Sequence, residues 1–444
     1  MRFKKLAALG LAATMGVGLL AGCGNNDTKK TTGDNKAKDV EITWWAFPTF
    51  TTVDNEAGKY ERDLAKKFEE ANPNIKVKVE MLDFKNGGEK LTTAIEGGTA
   101  PDVLFDAPGR IVDYGRAGKL VKLNDLVKEN KLEEDVTSPA ILEASGENGN
   151  VWMYPTSAAP FVMAVNKTFL EKEGLLDKVN LEGDRTWTTE QFVELAKAMA
   201  EKGYKGPEIY SGGQGGDQGT RAFVTNLTGG AIMNEARDKY TVSDEAGLNA
   251  YKLIKQGIDE KWLEANTAGV ANDALDHFST PVNAKFWSVI LWSPNLAAAR
   301  EKQLKESNIE AVAVSLPAPE GKQKLEYLVN GYAIFDNKDE AKIEASKKFV
   351  TWLADDKEVG KQNVLATKCF PVRKSFGDLY AGDKDMTFYN DLSKYYGGYY
   401  NTVPGFAEMR KFWWESLQAL STGSKSAEDA VKYFDENANK TLKN

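Results

Sequence analysis

Two segments near residue 40 and residue 80 alternate apolar and polar side chains, with a helical pattern between them. Residues 40–44 alternate with period two, and Ile75–Met81 does so more regularly than any other segment, so both predict β-strands. Between them Tyr60, Leu64 and Phe68 recur every four residues, which predicts an amphipathic helix. This stretch therefore predicts a strand, a helix and a second strand.

A second helix and a third strand follow in the pattern. Leu91 and Ile95 mark the helix, which ends at Gly97, and residues 103–105 are a short apolar run typical of a buried strand. Strands that alternate with helices between residues 40 and 105 predict a parallel sheet with helices on its faces. Ligands bind at the carboxyl ends of the strands in such sheets, so the residues directly after Trp44 and Phe105 become candidates for a site.

Two later helices are predicted from their first residues. Thr188-Thr-Glu-Gln191 and Ser426-Ala-Glu-Asp429 each place a hydroxyl side chain three residues before a Gln or Asp. This spacing is that of a capping box, in which the hydroxyl accepts a hydrogen bond from the first helical turn. Both segments therefore predict helix N-termini.

The N-terminal segment predicts a compartment. A basic head is followed by an apolar run over residues 6–20, which is typical of a secretory signal peptide rather than of a spanning helix. The run ends in Leu20-Ala-Gly-Cys23, which resembles the bacterial lipobox, and the alternative is an ordinary signal peptide with an unrelated cysteine. We expect residues 1–22 to be removed, Cys23 to carry the lipid anchor, and the polar residues 23–39 to form a flexible tether.

Composition excludes several classes of site and partner. The chain has 57 Lys and Arg against 65 Asp and Glu, one His and two Cys, and its formal charge is −8. Removing three basic residues with the signal peptide gives 54 − 65 = −11, which argues against nucleic acid as a partner. One His and two Cys exclude histidine-rich zinc centres and a disulfide framework. No phosphate loop, dinucleotide fingerprint or GxSxG elbow is found, so we expect no cofactor, no metal and no catalytic residue.

Aromatic residues are the most distinctive candidates. Six of the ten tryptophans fall in four clusters: Trp44-Trp45-Ala-Phe47, Phe286-Trp287, Trp292 and Phe412-Trp413-Trp414. For any single tryptophan, core packing is the simpler interpretation. As a set with Asp, Arg and Asn nearby, they also suit a sugar, whose C–H face lies on an aromatic ring while its hydroxyls bind polar groups.

Six segments resemble, in the right order, those of solute-binding lipoproteins of carbohydrate ATP-binding-cassette (ABC) importers, the group that contains maltose-binding protein. They are Phe68-Glu-Glu-Ala-Asn-Pro73, Gly98-Thr-Ala-Pro-Asp102-Val, Val151-Trp-Met-Tyr-Pro155, Asn330-Gly-Tyr-Ala-Ile334, Phe349-Val-Thr-Trp-Leu353, and Phe412-Trp413 through Ala430. The resemblance covers nearly all of residues 40–444. It implies an α/β fold of two lobes joined by a hinge, each lobe a mostly parallel sheet flanked by helices. We expect residues 40–158 and 316–372 to form the first lobe, and residues 159–315 and 373–444 to form the second.

The resemblance also implies a set of ligand contacts. Asp106 stands where maltose-binding protein has a tryptophan, and Asn295 stands where the family has a stacking ring, which neighbouring Trp292 is expected to replace. Trp413 matches a stacking tryptophan of the family best. The expected contacts are Trp45, Phe47, Asp106, Arg110, Asp217, Trp292, Asn295 and Trp413.

By this resemblance the function is capture of a sugar, expected to be an oligosaccharide, and its delivery to a membrane ABC permease that a separate ATPase drives. We expect a monomer without enzymatic activity, outside the cytoplasm and anchored by lipid to the membrane of a Gram-positive bacterium. Two alternatives stay open. One is a surface carbohydrate-active enzyme, a glycosidase or lyase that uses carboxylates. The other is an adhesin or sensor lipoprotein without transport.

Overall fold

The structure is a computed structural model that describes residues 39–442, apart from residues 55, 84–85 and 283. The predicted signal peptide, Cys23 and nearly all of the tether lie outside the described residues. The strands are β1 (Val40–Ala46), β2 (Ile75–Met81), β3 (Val103–Asp106), β4 (Gly146–Glu147), β5 (Asn150–Val151), β6 (Tyr154–Pro160), β7 (Val162–Asn166), β8 (Glu208–Tyr210), β9 (Glu264–Asn266), β10 (Ser288–Trp292), β11 (Ala311–Val314), β12 (Tyr327–Ile334) and β13 (Phe370–Pro371).

The helices alternate with these strands along the chain. They are α1 (Lys59–Ala71), α2 (Gly87–Glu96), α3 (Pro108–Arg116), α4 (Asn124–Glu129), α5 (Leu132–Asp135), α6 (Pro139–Ala144), α7 (Lys167–Glu173), α8 (Thr189–Glu201), α9 (Gln218–Thr228), α10 (Glu245–Asp259), α11 (Ala271–Ser279), α12 (Pro294–Glu306), α13 (Glu340–Asp355), α14 (Val359–Ala366), α15 (Lys384–Asp391), α16 (Phe406–Ser421) and α17 (Ala427–Thr441). Within residues 39–442, none of these helices combines the length and the apolar character needed to cross a bilayer.

The first lobe is built on a six-stranded sheet with the order β13-β6-β12-β3-β1-β2. Strands β1, β2 and β3 pair in parallel, as their alternation with helices predicts. Strands β12, β6 and β13 extend the sheet with antiparallel pairs, because they are the segments by which the chain enters or leaves this lobe. Trp44 of β1 is fully buried at the centre, 5.3 Å between ring centroids from Phe349 of α13.

The second lobe has its own hydrophobic core around the antiparallel sheet β10-β7-β11 and the parallel pair β8-β9. Helices α9, α10, α16 and α17 pack in this core. The two helix starts predicted from the sequence are confirmed. Thr188 and Gln191 form a complete capping box at α8, and the Ser426 side chain accepts a hydrogen bond from the Asp429 backbone at α17.

Three segments of the chain cross between the lobes. Phe161 alone separates β6 of the first lobe from β7 of the second. The second crossing leads from β11 to β12, and the third follows β13. Because the crossings lie side by side, the ends of β6 and β12 form the floor of the space between the lobes, where Pro160 pairs with Tyr327.

Candidate functional site

Both lobes line a cleft of about 200 Å³ that opens above the crossing segments. Gly109 and Arg110 of α3 belong to the first-lobe wall, and the floor holds Phe161 and Tyr327 of the crossings. The second-lobe wall holds Asp217, Arg221, Asn401, Phe406 and Arg410. A larger cavity of about 390 Å³ lies on the first lobe, but it is lined by that lobe alone. The cleft is the better candidate because charged groups converge on it from two lobes.

The first-lobe wall presents a planar ion pair. Asp106 is the last residue of β3 and α3 begins at Pro108, so Arg110 lies one helical turn beyond the carboxylate. Nε and Nη2 of Arg110 donate to the two carboxylate oxygens of Asp106 at 2.6 and 2.7 Å. The guanidinium also lies 4.5 Å above the ring of Phe47. The structure pairs the two predicted residues with each other, and of the two it is Arg110 that lines the cleft.

Asp217 is the centre of a second and more deeply buried set of charges. Both of its carboxylate oxygens accept hydrogen bonds from Arg410 at 2.9 Å, and Nη1 of Arg221 lies 2.7 Å from Oδ2. The side chains of Asp217 and Arg221 are each 2% exposed. Burial alone would raise the pKa of Asp217, but Arg221 and Arg410 outweigh it and hold the pKa below its ordinary value. The carboxylate is therefore ionised at neutral pH and fixes both guanidinium groups.

Arg221 connects this ion pair to the floor of the cleft. Its Nε donates to the hydroxyl oxygen of Tyr400 at 2.6 Å, and the Tyr400 hydroxyl donates to the carboxylate of Glu326, the residue before β12. Burial raises the pKa of Glu326 despite Arg221 and Tyr400 beside it. Burial alone would lower the pKa of Arg221, but Asp217 and Glu326 hold it well above its ordinary value. A charged network thus joins helix α9, the crossing at Glu326 and the loop before α16.

Aromatic rings complete the cleft. Tyr327 stacks on Tyr396 with ring centroids 4.1 Å apart and planes at 3°, and Tyr399 packs against it at 5.1 Å. Phe406 lies beneath the guanidinium groups of Arg221 and Arg410, at 5.3 and 5.9 Å. The combination of apolar rings with fixed hydrogen-bond donors and acceptors suits a polyhydroxylated ligand with C–H faces.

Three of the residues predicted from the sequence lie away from the lining of this cleft. Trp45 lines the other first-lobe cavity, on the α2 side of the sheet, with Nζ of Lys90 5.2 Å from its ring centroid. Trp292 is 2% exposed in the second-lobe core, against Phe278. Trp413 has no exposed surface, and its indole N–H donates to Oγ1 of Thr220 at 2.9 Å. Trp292 and Trp413 fill space inside the second lobe, so stacking on a ligand would require their neighbours to move, whereas Trp45 borders a cavity other than the cleft.

Phe47 and Asn295 do not line the cleft either, and each has a different role. Phe47 is 2% exposed and supports the guanidinium of Arg110 from below. Asn295, at the start of α12, donates from Nδ2 to the backbone oxygens of Thr49 and Thr367 at 3.3 and 3.2 Å. Asn295 therefore joins the second lobe to the first instead of presenting a stacking position.

The structure adds site residues that the sequence prediction missed. Arg221, Tyr327, Tyr399, Phe406 and Arg410 all line the cleft. Two of them had a local signal, since Arg221 follows Asp217 by four residues and Arg410 follows Phe406 by four, the spacing of neighbours on a helix face. Tyr327 and Tyr399 are brought together only by the tertiary fold. Among the described residues, no group of three or more His, Cys, Asp and Glu side chains is arranged to hold a metal ion.

Comparison with known proteins assigns the chain to a family. The family model of the bacterial extracellular solute-binding proteins matches residues 52–359, well over half of the chain. The chain belongs to this family. The chain is similar to the diacetylchitobiose-binding protein DasA of Streptomyces coelicolor, which is 27% identical over 243 residues, 54% of this chain and 52% of that protein. A maltooligosaccharide ABC transporter solute-binding lipoprotein of Streptococcus pneumoniae is 26% identical over 274 residues, 61% of this chain and 53% of that protein. The chain thus spans about half the length of these two relatives.

Solved structures confirm the two-lobed fold of this solute-binding protein. The GacH receptor of Streptomyces glaucescens superposes with a TM-score of 0.75 at 19% identity, over 91% of this chain and 99% of that one. A maltose-bound MalE3 of T. maritima gives a TM-score of 0.70 at 19% identity, over 90% and 99% of the two chains. The α/β architecture with two lobes is therefore shared with these receptors.

Proposed function

We propose that the protein captures an oligosaccharide in the cleft between its lobes and delivers it to a membrane ABC permease. The observation that carries this proposal is the cleft itself, where each lobe contributes an arginine held by a carboxylate beside aromatic rings. Such a set offers fixed donors to sugar hydroxyls and flat apolar surfaces to the ring. Membership of the extracellular solute-binding family supports a binding role for this set of residues.

The relatives support a sugar as the ligand. By their names, DasA binds diacetylchitobiose and the pneumococcal lipoprotein serves maltooligosaccharide transport. GacH was solved with acarbose, and a Listeria monocytogenes substrate-binding protein with a TM-score of 0.72 was solved with cycloalternan. These ligands belong to those proteins, and their common chemistry is a chain of pyranose-type rings. That chemistry is what we propose for this cleft.

The ligand contacts in this proposal are Arg110, Asp217, Phe406 and Arg410, with Tyr399 at the floor. Asp106 orients Arg110, and Arg221, which also lines the cleft, orients Asp217 and is itself held by Glu326. Arg110 and Arg410 each use Nε and Nη2 for their carboxylate, so within the described residues Nη1 of both makes no hydrogen bond and is available to a ligand. Binding then uses groups that are already oriented, which lowers its entropic cost.

Capture works by movement of the lobes about the crossings. The cleft of about 200 Å³ is smaller than the roughly 300–1,000 Å³ of ordinary ligand pockets, so the lobes must separate to admit a chain of rings. The ligand favours the closed state because it then contacts both walls. We propose residues 40–158 with 316–372 and residues 159–315 with 373–444 as the moving lobes.

The same proposal assigns the remaining parts of the chain. Cys23 carries the lipid, residues 23–39 tether the lobes to the outer face of a Gram-positive membrane, and the lobes act as a monomer. The permease and its ATPase supply transport. No ligand bond is broken, because the carboxylates of the cleft are engaged by arginines and are poorly placed to act as acid and nucleophile.

A thermal-shift screen against plant, host and storage oligosaccharides tests the function. A ligand at about 100 times its dissociation constant stabilises the folded state by about 2.7 kcal/mol, which raises the melting temperature. We expect at least one glycan to do so, with no product released from it after prolonged incubation. No shift with any glycan contradicts sugar binding, and released product would support the enzymatic alternative.

Arg410→Gln tests the second-lobe wall. Loss of a charged donor to the ligand is expected to weaken affinity about tenfold or more, while Asp217 keeps its ion pair with Arg221. Isothermal titration with the best glycan of the screen measures the change. Lys411→Gln is the matched control, since Lys411 follows on the same helix and its side chain is 59% exposed. Equal affinities of the two variants would remove Arg410 from the site.

A further inference from the structure

The loop of residues 399–405, here called the cleft loop, carries part of the second-lobe wall and reaches the first lobe. It is held to its own lobe by Arg221, which donates to the Tyr400 hydroxyl, and by Arg237, whose Nη1 donates to the backbone oxygen of Tyr399 at 2.9 Å. Val403 is buried in the second-lobe core. From Tyr400 onward the loop is therefore anchored to the second lobe, while the Tyr399 ring packs against Tyr327 in the core of the first lobe.

One first-lobe side chain, that of Arg116, forms a hydrogen bond with this loop. Nη2 of Arg116, the last residue of α3, donates to the backbone oxygen of Thr402 at 2.6 Å. Its guanidinium is oriented by its own lobe, because Nε and Nη2 also donate to Glu147 at 3.1 and 3.0 Å and Nη1 donates to Asp113. The side chain is 25% exposed. Because its guanidinium is already oriented, the Arg116 side chain loses little conformational entropy when it binds the cleft loop.

Helix α3 also approaches the cleft loop at Gly109, which has no side chain. A Cβ atom there would lie 3.1 Å from the backbone oxygen of Asn401 and 3.6 Å from the ring of Phe406. Gly109, Asn401 and Phe406 all line the cleft, so this contact between the lobes is itself part of the ligand-binding wall. An ion pair between the lobes, Arg237 with Glu143, spans 3.9 Å between side chains that are 40% and 64% exposed, which makes it a weak contact.

We propose that Arg116 is a positioning residue for ligand capture, which fastens the cleft loop to helix α3 and so holds Asn401 and Phe406 in place when the lobes close. The proposal rests on the function proposed above. It assigns Arg116 no contact with the ligand, since Arg116 does not line the cleft. The effect on affinity comes through the closed state alone.

Arg116→Gln tests the proposal by stopped-flow kinetics with the best glycan and by small-angle X-ray scattering. We expect the ligand to dissociate about tenfold faster with little change in association rate, because a charged hydrogen bond specific to the closed state is lost. The radius of gyration, with and without the ligand, is expected to exceed that of the wild type. Arg62→Gln is the matched control, since Arg62 is another first-lobe helix arginine paired with a glutamate, Glu56, and its hydrogen bonds stay within its own lobe.

Gly109→Val tests the same contact without removing a charge. Its methyl groups have no room while Asn401 and Phe406 stay in place, so the same faster dissociation and larger radius are expected. This variant decides the question if circular dichroism shows that Arg116→Gln is unfolded. Wild-type dissociation rates and radii in the folded variants would overturn the proposal. If no glycan binds the wild type, the proposed function fails, and the radii alone then decide whether Arg116 fastens the lobes.

Discussion

Replacing Trp413 with alanine is expected to lower the free energy of unfolding by about 3–5 kcal/mol, the usual cost of removing a large buried aromatic ring. Trp413 has no exposed surface and packs edge-on against Tyr251 and Phe434, with ring centroids 6.2 and 5.3 Å away. The variant also deprives Oγ1 of Thr220 of the indole donor. Urea unfolding at pH 7, followed by circular dichroism, measures the loss.

The adjacent tryptophan is the control for this prediction. Trp414 lies on the same helix but is only half-buried, so Trp414→Ala is expected to cost clearly less stability. Trp413→Phe keeps most of the apolar volume and is expected to bind the glycan as the wild type does. A folded Trp413→Ala variant with nearly unchanged stability and no glycan binding would instead put the ring in the ligand site.

The difference in burial between these two tryptophans shows what the aromatic pattern alone does not predict. The pattern Phe-Trp-Trp identifies an aromatic segment, but it does not say which face of α16 meets the cleft. Met409, Trp413, Leu417 and Leu420 follow the helical spacing of a core face, and all four are buried. Arg410 lies beside that stripe and faces the cleft. In the sequence, the helical spacing of these four residues predicts that Trp413 lies in the core, whereas the resemblance to the family predicts that it contacts the ligand.

Trp45 lies outside the cleft for a different reason. Strand alternation correctly separates Trp44 and Trp45 onto opposite faces of β1, with Trp44 in the core beneath α13. The strand pattern cannot say which helix covers the other face. Helix α2 does so here, and Lys90 lies over the Trp45 ring.

The parallel start of the first sheet and two helix caps follow from local patterns, because neighbouring residues determine them. The long-range contacts of the network around Asp217 do not follow from local patterns. Asp217 and Arg410 are 193 positions apart, and Arg221 and Tyr400 are 179 apart, so only the packing of α9 against α16 brings them together. Asp217 was predicted through the resemblance. Its partner Arg221 follows it at the i, i+4 spacing of a helix, whereas Arg410 carries no local signal of its pairing with Asp217.

Asp217→Asn is expected to destabilise the protein by about 3–5 kcal/mol at pH 7, because it leaves two guanidinium groups beside each other without their shared counter-charge. Of its polar partners in the described part of the chain, the Arg221 side chain then keeps Glu326 and Tyr400. Water cannot solvate the unpaired charge of Arg221, because the side chains at positions 217 and 221 are each 2% exposed. Glycan affinity is expected to fall as well, because Arg410 loses the carboxylate that orients it.

The pH dependence separates the charge of Asp217 from its shape. Its folded-state pKa is lowered, chiefly because Arg221 and Arg410 overcome the effect of burial. The stabilisation is therefore complete above the unfolded-state pKa of about 3.9 and is lost as the pH falls through the lower folded-state value. The stability difference between wild type and Asp217→Asn should be constant from pH 7 to pH 5 and shrink below about pH 4. The charge of Asp217 is one of the causes that raise the pKa of Glu326, so Asp217→Asn is also expected to lower the pKa of Glu326. Asp63→Asn removes an exposed partner of Lys59, with a side chain 60% exposed, and should cost less than about 1 kcal/mol. A cost at Asp217 no larger than at Asp63, or one that does not change between pH 7 and pH 3, would show that the buried ion pairs do not hold the cleft wall together.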